Sequence, residues 1–145
     1  QDQGLLETDT TWPGQATRAL PLNFMSSHRD QYPALRSPRL FDCIHQRERG
    51  RRIEQQYLPI ASLEIALPSL RSGDLFAVAT SVRGLDVSHT GVLVRDGSRL
   101  DAIHAAPGHG VIRSRSFARY LRSLPDAIGA VIVRPRSRIT PSQPH

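Results

Sequence analysis

The chain has 145 residues, 39% of them apolar and 22% charged, with a net charge of +6. That is enough for one domain with a modest core, and no stretch approaches the roughly 20 apolar residues that a membrane span needs. All 19 basic residues are arginine, spread along the chain apart from RERGRR at 47–52 and RPRSR at 134–138, and aromatics make up only 6%. This is not the footprint of a stacking platform, and no nucleic-acid partner is expected.

The chain opens on Gln1, with no basic-then-apolar leader, so an N-terminal piece is expected to be missing and no export signal is visible. Residues 1–20 carry no periodicity and hold the turn-like string TWPG, which reads as a loose lead-in. The stretch PLNFMSSHRDQYPAL reads as a loop anchored by Phe24, Met25, Tyr32 and Leu35. Ser37 before Pro38 is a helix-start signal. Leu40, Phe41, Ile44 and Ile53 continue it as a partial stripe, predicting a helix over 38–55, broken near Gly50.

From Leu75 the pattern changes. LFAVAT suits a strand buried on both faces. Residues 89–95 are β-branched-rich, and Asp96-Gly97 is a strong hairpin signal leading to a returning strand over 100–105. Gly108 to Gly110 turns into a short strand at VIR. Ser114 or Ser116 then caps a helix through Phe117, Tyr120 and Leu121, and IGAVIVRP is a final strand. The tail from 136 to 145 holds no core residue and reads as disordered. The layout is α+β: a helix, then an antiparallel sheet of at least four strands over 74–80, 89–95, 100–105 and 128–134, with one helix inserted.

The hairpin carries the chemistry. His89 opens its first strand and His104 closes its second. The midpoint of 89 and 104 falls within Asp96-Gly97, so the two imidazoles should lie near one rung, close enough for one to orient the other. Gly91 is expected to leave open space on the same face. A base oriented by a second polar group is half of a nucleophilic site. The competing reading is a structural histidine pair. Zinc would need a third ligand, and neither HxxxH nor CxxC spacing is present. No cofactor is expected. Cys43 is the only thiol, which excludes an internal disulfide. It lies inside the predicted helix among Leu40, Phe41 and Ile44, where a buried, inert cysteine is expected rather than a nucleophile.

The segments PLNFMSSHRDQYPAL, GDLFAVATSVRGLDVSHTGVLVRDGSRLDAIHAAPGHGVIRSRSFARYL and IGAVIVRP together resemble the N-acetylmuramoyl-L-alanine amidase-like family of the papain-like NlpC superfamily of bacterial cell-wall cysteine hydrolases. The resemblance covers most of 19–135. It implies His89 as catalytic base, His104 as its orienting partner, a peptidoglycan stem peptide or muramoyl-peptide as ligand, and action in the cell envelope or periplasm. It also implies a nucleophilic cysteine on a helix upstream of Asn23–Ser26. Residues 1–22 contain no cysteine, and Cys43 lies downstream of that motif. The expectation is therefore a papain-like domain over 21–135 lacking its N-terminal nucleophile helix: the C-terminal part of a cysteine hydrolase, catalytically incomplete. The alternative is a non-catalytic peptidoglycan- or protein-binding module of the same fold.

Overall fold

A computed structural model describes residues 6–7 and 11–136; the tail beyond 136 lies outside the described residues. The strands are β1 (Leu6–Glu7), β2 (Ala16–Pro21), β3 (Arg52–Pro59), β4 (Leu75–Thr80), β5 (Val87–Asp96), β6 (Arg99–Ala106), β7 (Gly110–Ser114) and β8 (Ala127–Pro135). The helices are α1 (Phe24–Ser27), α2 (Pro38–Glu48), α3 (Leu63–Ala66) and α4 (Phe117–Ser123). The strands form one sheet in the order β2-β3-β8-β4-β5-β6-β7, with β1 also on β8, and every neighbouring pair is antiparallel. The α+β layout and the four predicted strands are present.

Three expectations change. Residues 16–21 are not part of a loose lead-in: they form β2, paired with β3 from Ala16–Tyr57 to Pro21–Arg52, and Trp12 just before them is buried. The helix predicted over 38–55 stops at Glu48. Gly50 takes a left-handed φ of 70°, a conformation suited to glycine, and the chain reverses into β3. Of the four predicted anchors in the preceding loop, only Leu35 is fully buried; Phe24, Met25 and Tyr32 are half-buried.

Strand alternation places the core. Phe76 and Val78 of β4, Leu93 of β5, Leu100 and Ala102 of β6, and Ala130 and Ile132 of β8 turn to one face. There they meet Phe117 and Leu121 of α4 and Leu63 and Ala66 of α3. The Phe76 and Phe117 rings are 5.0 Å apart. Continuing the same alternation, His89 of β5 and His104 of β6 lie on this helix-covered face, at the end of the sheet.

Candidate active site

The hairpin register is two residues away from the mirror pairing expected from sequence. Asp96 pairs with Arg99 and Val92 with Ile103, so the turn is Gly97-Ser98, with Gly97 at φ 61°. One further step along this ladder puts Gly91 opposite His104, and His89 is its diagonal neighbour. A two-residue shift preserves the face, and long or aromatic side chains bridge the diagonal. The rings do meet: His89 Nε2 is 3.0 Å from His104 Nδ1, with centroids 4.9 Å apart and planes at 85°. The space expected at Gly91 is filled. A Cβ there would lie 2.5 Å from both the Phe76 ring and the Ile103 carbonyl, so glycine is needed for the close approach of Phe76 beneath the histidines.

His104 is buried, 7% exposed, and its second nitrogen, Nε2, is 2.9 Å from Ser114 Oγ on β7. The ring of Tyr120 on α4 lies 4.5 Å from His104 and 6.4 Å from His89. Burial pushes the His104 imidazole below its ordinary pKa, the neighbouring His89 adds to this, and a backbone hydrogen bond at Ala105 opposes it. Burial and the neighbouring His89 both favour the neutral form of His104. Burial also pushes the Tyr120 phenol upward. Both His104 nitrogens are engaged. His89 commits only Nε2 among the described residues, which leaves Nδ1 for a reacting group.

The loop Ser81 to Asp86, which leads into His89, is fixed from two sides. Arg18 of β2 donates to the Thr80 carbonyl at 2.7 Å, the Asp86 carbonyl at 3.1 Å and Gln55 Oε1 at 2.8 Å. Gln55 of β3, itself buried, donates to the same Asp86 carbonyl at 3.0 Å. Opposite them, the backbone N–H groups of Asn23 and Phe24 donate to the Gly84 carbonyl. The edge strand β2 and its neighbour β3 therefore set where β5 begins.

A cavity of about 350 Å³ opens beside the histidines, lined by His89, His104, Tyr120, Thr80, Pro107 and Asp126 among others. That volume suits a small ligand or a peptide side chain. A larger groove of about 560 Å³ runs over Trp12, Tyr57 and Val133 but holds no imidazole or thiol, so chemistry rather than size selects the site. Cys43 does not line the histidine cavity. Contrary to expectation it is exposed, on α2, because α2 packs on α1 and the turn at Pro33–Arg36 and turns Cys43 outward. No group of three or more potential metal ligands occurs among the described residues.

Sequence reasoning placed Tyr120 only within the predicted helix and Ser114 as a possible cap. Ser116 is the cap, accepting from the Arg119 N–H. The signal for Ser114 was its place in the short strand after the Gly108 to Gly110 turn, which has to fold back on β6; Ala102 pairs with Ser114.

The N-acetylmuramoyl-L-alanine amidase-like family model matches residues 8–129. Among solved structures, an N-acetylmuramoyl-L-alanine amidase from Bacteroides uniformis is 29% identical with a TM-score of 0.78, over 92% of this chain and 59% of its own. A putative xylanase from Bacteroides fragilis is 29% identical with a TM-score of 0.73, over 91% and 60%. A Legionella pneumophila protein at 18% identity, with a TM-score of 0.62 over 94% of this chain and 58% of its own, shares the fold. No curated protein matches the chain. The chain thus spans about 60% of the length of these solved relatives. With the match extending over most of its residues, the chain belongs to the N-acetylmuramoyl-L-alanine amidase-like family.

Proposed function

We propose that the chain carries the proton-handling half of a papain-like, NlpC-type cell-wall cysteine hydrolase that acts on a peptidoglycan stem peptide or muramoyl-peptide amide in the cell envelope. The observation that carries this is the 3.0 Å contact of His89 Nε2 with a buried His104, its neutral form favoured, at a cavity wall.

The roles follow from the nitrogens. His104 accepts at Nδ1 the Nε2–H of His89 and fixes the ring, so His89 Nδ1 takes the thiol proton. The thiolate attacks the amide carbonyl, and His89 returns the proton to the departing amine as the C–N bond breaks. Water then opens the thioester, with His89 again as base. His104 orients the base and does not relay its proton, as the third member of a triad does. The thiol is the missing element. The domain over 21–135 is read as the C-terminal part of the enzyme, its nucleophile helix supplied from outside these residues.

One observation favours the alternative of a non-catalytic module of the same fold: the cavity has no thiol in its wall. A soluble peptidoglycan digest separates the readings. As it stands the chain should release no stem peptide. Cleavage abolished by both Cys43→Ala and His89→Ala would show instead a complete site built on Cys43, and cleavage surviving Cys43→Ala would point to another nucleophile.

A further inference from the structure

The family site makes no use of the excursion between β2 and β3. Residues 36–52 hold six arginines, at 36, 39, 47, 49, 51 and 52, against two acids, Asp42 and Glu48. That is a net +4 out of the chain's +6, in 17 residues. All six arginines are exposed, and none of their guanidinium groups has a hydrogen bond or ion pair among the described residues. One of the two acids is already occupied: Glu48 accepts the N–H groups of Met25 and Ser26 at the start of α1.

The helix in this segment is oriented. Glu48, Phe41 and Ile44 are its half-buried positions. Turning by 100° per residue, Arg39, Leu40, Cys43 and Arg47 fall within one sector of about 100°, beside that half-buried face and outside it. There Leu40 is 49% exposed and Cys43 is exposed, and α2 buries no residue. An apolar strip flanked by arginines, with three further arginines at the turn that follows, fits a surface that is anionic and has an apolar layer beneath it. Nucleic acid fits less well, because the outward face offers no aromatic ring; Phe41 is stacked under Arg29 at 4.3 Å.

We propose that the outward face of α2 and the following turn dock on an anionic phospholipid surface, with Leu40 entering the headgroup layer and the arginines meeting lipid phosphates. This inference is independent of the histidine site, so either reading can fail alone.

Co-sedimentation of the full chain with vesicles tests it. Binding is expected to mixed phosphatidylglycerol–phosphatidylcholine vesicles and not to phosphatidylcholine alone, and it should weaken as salt rises. Arg39→Gln with Arg47→Gln should lower partitioning about thirtyfold, and Arg47→Gln alone about fivefold, at the usual contribution of a cationic side chain near such a surface. Leu40→Gln should also weaken binding. Arg115→Gln with Arg119→Gln changes net charge equally at exposed positions elsewhere and should leave binding unchanged. The proposal is overturned by absence of vesicle binding, by equal binding to neutral vesicles, or by a control pair as damaging as the test pair. Tighter binding to duplex DNA at matched salt, indifferent to Leu40→Gln, would overturn it in favour of nucleic acid.

Discussion

Arginine is used in two ways in this molecule, and the sheet and the α1–α2 excursion divide them. In the sheet it is a tether. Arg134 meets the fully buried Asp74 through two bonds of 2.7 Å and lies 4.8 Å from the Trp12 ring. Arg99 and Arg113 converge on the fully buried Asp101, whose other oxygen contact is the Ser116 N–H. Arg18 holds both ends of the loop before His89. Along residues 36–52 the same side chain reaches solvent with no guanidinium partner among the described residues, whereas Arg29, earlier in the excursion, still donates to the Leu35 carbonyl. A planar fork with five donors can replace several backbone or carboxylate contacts when it is surrounded by acceptors, and remains a surface charge when it is not. Composition alone counts both kinds alike.

If this division is sound, matched substitutions should behave differently. Arg134→Met leaves Asp74 buried without its cation, which is expected to cost about 3 kcal/mol of stability by urea unfolding. Arg47→Met removes a charge with no hydrogen bond or ion pair among the described residues and should change stability by no more than about 0.5 kcal/mol. Equal losses at the two positions would erase the distinction.

Between these extremes lies a pH effect with two windows. His104 has a folded pKa below its ordinary value of 6.5, so the unfolded chain takes up that proton first as pH falls. The contribution is present above pH 6.5 and declines below it, with a slope of at most about 1.4 kcal/mol per pH unit for one proton. Asp101 is held below the ordinary carboxylate value of 3.8, chiefly by its hydrogen bond to Arg99. Its contribution is present above that value and is lost as pH falls through it towards the folded pKa. Thermal melts from pH 7 to pH 3 should show both declines. Asp101→Asn should remove the more acidic one and leave the other.

The part of the fold that sequence reasoning reached is the part held by apolar alternation. LFAVAT, the Asp-Gly hairpin and IGAVIVRP all announce strands, and β4, β5, β6 and β8 are where they were expected within one or two residues. The histidine contact followed, even though the turn lies one residue later than assumed, because a shift of two preserves the face. β2 and β3 were missed for a physical reason. Their inner positions include Arg18 and Gln55, polar groups that satisfy one another and two backbone carbonyls. A strand that faces the interior with hydrogen-bonded polar groups leaves no alternating pattern to read. Cys43 was misplaced because a helical stripe shows which residues share a face but not whether a neighbour covers that face.

The central proposal is that His89 and His104 form one unit at a cavity that receives a muramoyl-peptide. The most direct measurement follows the imidazole ¹⁵N resonances of all six histidines while a soluble muramoyl-peptide digest is titrated into the intact chain. The account predicts saturable shifts at His89 and His104 together, both lost in His89→Ala, with His28, His45 and His109 unmoved. Shifts spread over all the histidines, or none at His89 and His104, would contradict it.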